Sequence, residues 1–214
     1  PVHQYRDNGN YTVYLTVIDD DGDSDLFSTQ LTVFNVAPIA NFSFIPLTPS
    51  TADTLSFTDQ SVDSDGVIIS WYWDFGDGYQ SSTQHPTHSY TDNGLYMVNL
   101  TVTDDDGAMD KISIQLAVTN VAPNALFTYS PLSPYTNQDI SFNDLSSDSD
   151  GSIVNWSWDF GDGNTSYAHF PTHQYTDNGL YSITLQVQDD DNATNTTQQI
   201  ISIQNNIPFC SFTY

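Results

Sequence analysis

Runs of aspartate are the residues of this chain whose type and spacing could do chemistry. Asp63-Ser64-Asp65-Gly66 and Asp148-Ser149-Asp150-Gly151 each set two carboxylates one residue apart before a glycine, and Asp104–Asp106 and Asp189–Asp191 follow further along. Hard anionic oxygens on turns suit Ca2+, which takes about six to eight oxygen ligands at roughly 2.3–2.6 Å. The candidate metal ligands are therefore Asp63, Asp65, Asp104 and Asp106, with Asp148, Asp150, Asp189 and Asp191 as a second set. The competing reading is that such Asp-Gly turns are solvated and capped by their own backbone. A further pair, Asp74 and Asp77 inside Trp-Asp-Phe-Gly-Asp-Gly, suggests the paired carboxylates of glycoside chemistry. No histidine, nucleophile or further acid is placed beside it by sequence. Trp73 falls on the inward parity of a strand, and Gly76-Asp77-Gly78 reads as a tight turn, so the phrase is expected to be a joint rather than a catalytic site. His85 and His88 are three apart whereas His169 and His173 are four apart, without a cysteine beside them. That inconsistency favours hydrogen-bonding roles over zinc. No catalytic constellation is visible, and the chain is expected not to be an enzyme.

The elements that must position these groups repeat. His3, His88 and His173 are spaced 85 residues apart; so are Val36-Ala37-Pro38 and Val121-Ala122-Pro123, the Asp runs, and the two Trp-Asp-Phe-Gly-Asp-Gly phrases. The 85-residue frame divides the chain into residues 1–35, the back end of one unit; 36–120 and 121–205, two whole units; and 206–214, the opening of another. It is expected to be a segment of a longer tandem array, a reading placed ahead of half-domains completed by neighbouring molecules. Within a unit the apolar residues alternate. Tyr96, Val98, Leu100 and Val102 share one face of a strand, as do Tyr181, Ile183, Leu185 and Val187. Ile69, Trp71, Trp73 and Phe75 are expected to share another, matched by Val154, Trp156, Trp158 and Phe160. Short strands separated by Gly/Asp/Asn turns predict tandem all-β domains, each an immunoglobulin-like sandwich. Tyr90 and Tyr175 are placed like the tyrosine corner of such sandwiches, and the linkers at Asn35–Pro38 and Asn120–Pro123 should lie beside the Asp turns.

Composition narrows the function. The 214 residues carry 27 acidic side chains, every one an aspartate, against Lys111 and Arg6, giving a net charge of −25. Such a surface repels nucleic acid and anionic lipid. No apolar run is long enough to span a membrane. The lone cysteine, Cys210, precludes an internal disulfide and aligns with Ala40 and Ala125, a position expected to be buried. Seven Asn-x-Ser/Thr sequons, at Asn10, Asn41, Asn99, Asn155, Asn164, Asn192 and Asn195, are candidate glycosylation sites of an extracellular protein. Tyr72, Tyr79 and Tyr167 have outward or loop placements that could stack on sugars, although they do not recur between repeats.

Trp-Asp-Phe-Gly-Asp-Gly, followed by His-x-Tyr, then Gly-x-Tyr-x-Val/Ile-x-Leu-x-Val and an Asp-rich turn, strongly resembles the PKD (polycystic kidney disease) domain. The resemblance implies an immunoglobulin-like sandwich of extracellular proteins, commonly a spacer or adhesion module. It also implies calcium at Asp63, Asp65 and Asp104, as in the PKD domains of bacterial collagenases. The acidic, lysine-poor composition is similar to that of archaeal surface-layer members. The expected function is a stalk, filament or surface-lattice segment on a cell surface, with Ca2+-stiffened junctions and with other copies of itself, neighbouring surface proteins or glycans as partners. The alternative is an accessory polysaccharide- or protein-binding module of a larger secreted enzyme.

Overall fold

Alternating apolar residues make strands, and the Gly, Asp and Asn punctuation between them makes turns. The computed structural model describes residues 1–206, and among them every regular element is a strand. Cys210 and most of the last expected segment lie outside the described residues. By their contacts the described residues form two compact units, one of Pro1–Pro49, Asp53–Tyr90 and Gly94–Val118, the other of Ser50–Ala52, Thr91–Asn93 and the chain from Thr119 onward.

In the first unit, β1 (Gly9–Ile18) and β2 (Ser24–Val33) form an antiparallel hairpin in register from Gly9↔Val33 to Ile18↔Ser24. Its alternate residues Val13, Leu15 and Val17 stay exposed, whereas their repeat counterparts Val98, Leu100 and Val102 are buried. The difference is the presence of an opposing sheet. That sheet pair is built from β3 (Phe42–Ile45), β4 (Leu55–Asp59), β5 (Ile68–Asp74), β6 (Gln80–Ser81), β7 (Thr87–His88), β8 (Gly94–Asp104) and β9 (Met109–Val118). The sheets run β3-β4-β7 and β6-β5-β8-β9.

The second unit repeats the plan with β10 (Phe127–Ser130), β11 (Ile140–Asp144), β12 (Ile153–Asp159), β13 (Thr165–Ser166), β14 (Thr172–His173), β15 (Gly179–Asp189) and β16 (Thr194–Ile203). Its sheets run β10-β11-β14 and β13-β12-β15-β16. Each sandwich closes over its own core, with Phe42, Leu55, Phe57, Trp73 and Leu100 in one and Phe127, Ile140, Phe142, Trp158 and Leu185 in the other. Trp73 and Trp158 are fully buried, as their parity predicts.

One expectation of parity fails. Ile69 and Val154 are exposed, and Ile68 and Ile153 pack against the cores in their place. The pairing of β5 with β8 shifts register between Ile68 and Ser70, and that of β12 with β15 between Ile153 and Asn155. An extra residue at such a bulge reverses the side chains that precede it.

Candidate functional site

The Trp-Asp-Phe-Gly-Asp-Gly phrase folds as the end of β5 and the turn into β6. Gly76 has φ +84°, and a Cβ there would lie 2.8 Å from the Met97 carbonyl, so both conformation and space demand glycine. Asp77 accepts the Tyr79 N–H at 3.0 Å through Oδ1, and through Oδ2 it holds the His88 imidazole at 2.6 Å. His88 stacks on Phe75 with ring centroids 4.2 Å apart, and Tyr90 donates its hydroxyl to the Phe75 carbonyl at 2.9 Å. The second unit repeats all of this with Asp162, His173, Phe160 and Tyr175. Burial, helped by the charge of Asp77, pushes the Tyr90 hydroxyl above its ordinary pKa, which keeps it a donor. The phrase is therefore a joint: each polar group in it is engaged in holding a turn to the core.

A second node sits under the loop after β6. Trp71 and Gln84 donate to Asp59 Oδ2 at 2.8 and 3.0 Å, and the Asp59 N–H donates to His85 Nδ1. In the second unit Trp156 and His169 meet Asp144 in the same way. Burial alone would raise the Asp59 and Asp144 carboxyls, yet their hydrogen bonds outweigh it and hold both below the usual range. All four of these histidines thus meet partners in hydrogen bonds.

The Asp turns divide into three kinds of group. Asp104 is buried at the end of β8; its Oδ1 accepts the N–H groups of Asp106 and Ala108 at 3.1 and 2.7 Å, and its Oδ2 accepts the Asn35 amide at 2.8 Å. That amide, above all, holds Asp104 below the usual carboxylate range. Asp189 is clamped identically by Asn120 and Ala193. These two carboxylates tie the incoming chain to the sandwich. Asp105 and Asp190 accept the N–H groups of Val67 and Ser152, and Asp105 Oδ1 would stand 2.5 Å from a Cβ on Gly66. Asp106 and Asp191 are exposed on the outer turn.

Asp63 and Asp65 are different. Asp65 Oδ2 accepts the Val36 N–H at 3.0 Å, but Asp63 Oδ2 and Asp65 Oδ1 are buried without a hydrogen-bond partner. In the second unit Asp150 Oδ2 accepts the Val121 N–H, while both oxygens of Asp148, Asp150 Oδ1 and Asn120 Oδ1 are buried and unpartnered. Burial, then the neighbouring Asp150, pushes the Asp148 carboxyl up. Crowded, partnerless anionic oxygens are costly unless something positive sits among them. The donor set therefore fits a hard cation, with Asp63 and Asp65 or Asp148, Asp150 and Asn120 as the available protein ligands. No three His, Cys, Asp or Glu side chains among the described residues converge as a complete metal set, so solvent would have to fill the remaining positions. The candidate ligands read from the sequence include Asp106 and Asp191, which are exposed, and leave out Asp105, Asp190 and the side chains of Asn35 and Asn120. The recurrence of both asparagines at the 85-residue spacing was the available signal.

The family model described as PKD domain matches residues 35–119 and 120–203. Over 172 residues the chain is 36% identical to the pre-pro-metalloprotease PrtV of Vibrio cholerae, covering 78% of this chain and 18% of that protein. A microbial collagenase of Vibrio alginolyticus is 41% identical over 90 residues, 42% of this chain and 11% of its own length. The solved PKD1 domain of Vibrio anguillarum Epp is 42% identical and covers 40% of this chain and 96% of its own, with a TM-score of 0.37. The chain thus spans 18% or less of the length of these two curated relatives. They are bacterial proteins, which leaves the archaeal surface-layer analogy without support.

Proposed function

The chain belongs to the PKD-domain family, and from that premise we propose that it is a non-catalytic accessory module of a larger extracellular bacterial enzyme, holding that enzyme on an extracellular substrate. The observation that carries this reading is the identity of the relatives: the similar stretches are small parts of a metalloprotease and a collagenase. The Trp-Asp-Phe-Gly-Asp-Gly carboxylates support it, because Asp74, Asp77 and Asp162 accept turn N–H groups at 3.0–3.1 Å rather than facing a cleft. Chemistry then belongs elsewhere in the larger protein, and this part supplies attachment and stiffness.

Ca2+ would supply charge neutralisation at the Asp turns. Asp63 and Asp65 would hold it in the first unit, and Asp148, Asp150 and Asn120 in the second, while Asp104 and Asp189 fix the incoming asparagine. The test of attachment is co-sedimentation of the chain with insoluble collagen and with insoluble polysaccharides. Retention on one of them supports the accessory role, and failure on all overturns it. A second reading, a structural stalk or filament segment, draws on the unbroken 85-residue repeat. Concentration-dependent self-association in analytical ultracentrifugation would favour it.

A further inference from the structure

The second unit carries a groove that the accessory role leaves unexplained. Its volume is about 530 Å3, within the roughly 300–1,000 Å3 of small-ligand sites. Its floor is β12 and β15; β15 is paired on both sides, whereas β12 is paired with β15 but meets β13 only at Trp158 and Asp159. Side chains supply the polar groups of its floor. Asn155 stands opposite Gln188, and Ser157 opposite Gln186, so amides and a hydroxyl line the floor. Asn155 Nδ2 donates to Gln188 Oε1 at 2.8 Å, which sets the orientation of both amides.

One wall is aromatic. His169 stacks between Trp156 at 4.1 Å and Phe170 at 3.8 Å, and its Nε2 is held by Asp144 at 3.0 Å. Tyr167, 78% exposed, lines the same groove. The lining contains no carboxylate, lysine or arginine, in a chain of net charge −25. Asp144, just behind it, is committed to Ser146, Trp156 and His169. The first unit keeps the indole and the carboxylate behind it, as Trp71 and Asp59, but not the rest. There Asn155, Tyr167, His169, Gln186 and Gln188 are replaced by Ser70, Ser82, Gln84, Thr101 and Thr103.

We propose that this groove on the second unit binds an uncharged saccharide. A pyranose offers an apolar C–H face for the exposed ring of Tyr167 and a rim of hydroxyls for side-chain amides, each of which both donates and accepts. The neutral lining suits a ligand without charge, and the overall charge repels polyanionic glycans. The inference rests on the accessory-module reading and names its ligand. Asn155 also begins an Asn-Trp-Ser sequon, so the test requires the unglycosylated chain.

Isothermal titration of the full chain, expressed without glycosylation, would use chitohexaose, cellohexaose and mannohexaose as probes. Hyaluronan and a triple-helical Gly-Pro-Hyp peptide complete the panel. The expected result is binding of at least one neutral hexasaccharide, weakened at least tenfold by Tyr167→Ala and by Gln186→Ala, and unchanged by Tyr72→Ala in the first unit. Circular dichroism melting separates lost binding from lost fold. No binding of any neutral hexasaccharide at millimolar concentration overturns the proposal, as does binding indifferent to both groove substitutions. Binding of the Gly-Pro-Hyp peptide alone overturns the saccharide but leaves the accessory role standing; retention on no substrate in the co-sedimentation assay sinks the accessory role itself.

Discussion

The two whole repeats have kept the same joints and rebuilt one face. Asp77–His88 and Asp162–His173 close at 2.6 and 2.7 Å, Tyr90 and Tyr175 reach the same carbonyl, and Asn35 and Asn120 clamp the same buried aspartate at 2.8 Å. The outward face of the four-stranded sheet shares little: Tyr72 and Ser82 stand where the second repeat has Ser157 and Tyr167. Groups bound to buried partners are fixed by the cost of stranding those partners, whereas outward side chains answer only to what they meet. The comparison separates a scaffold, common to both repeats, from a recognition surface confined to one.

The largest break in that symmetry comes from the cores. Trp73→Ala should destabilise the first sandwich by about 4 kcal/mol, and Trp158→Ala the second by about the same. Because the buried clusters share no residue, calorimetry should show one transition lowered in each variant and the other nearly unmoved. A common shift of both transitions would contradict separate cores. Acid should act next, and on both. Desolvation alone would raise the half-buried Asp59 and Asp144 and the exposed Asp162, yet hydrogen bonds hold all three below the ordinary carboxylate range, as the Asn35 amide holds Asp104. A depressed folded-state pKa gives stability that is present above the unfolded value near 4 and lost as pH falls through the lower folded values. The urea midpoints of both transitions should therefore fall between about pH 4 and pH 2. Midpoints rising across that window would mean that relief of the −25 charge outweighs these carboxylates.

Much of the scaffold is legible in the sequence, because alternation reports burial directly. Val98, Leu100 and Val102 needed only their spacing, and Trp73 and Trp158 only their parity. The bulges at Ile69 and Val154 were not, since both neighbours are apolar and either parity reads as a strand. In Asp104-Asp105-Asp106 three identical side chains follow one another, and which one faces Gly66 is decided by the turn, not by residue type. The groove escaped for another reason. Its parts lie on β12, on β15, at the start of β16 and in the stretch after β13, so Tyr167 reads as a sugar-stacking candidate without the amides of the groove floor.

Calcium sharpens the comparison at smaller scale. The second unit strands three buried carboxylate oxygens and the Asn120 carbonyl oxygen, while the first strands two carboxylate oxygens. At tenfold excess over its dissociation constant Ca2+ adds about 1.4 kcal/mol to whatever binds it. Adding millimolar Ca2+ after chelation should raise the melting temperature, and raise that of the second unit more. Asp148→Asn should remove most of the difference. Equal shifts in both units, surviving Asp148→Asn, would mean that the stranded oxygens are not the ligands.

The smallest effect tests whether the joints are truly equivalent. Tyr90→Phe and Tyr175→Phe each delete one buried hydroxyl and leave the Phe75 or Phe160 carbonyl without that donor. The ring stays packed against Tyr96 or Tyr181, with centroids 4.1 and 4.2 Å apart, so little but the hydrogen bond is lost. The expected cost is about 1 kcal/mol in each unit. Because the two bonds differ by no more than their lengths of 2.9 and 2.8 Å, the two costs should agree within experimental error. A markedly larger penalty in the second unit would show that its joint also supports the groove. In that case Tyr175→Phe should weaken saccharide binding as well, and scaffold and recognition surface would be coupled through the turn that Phe160 opens.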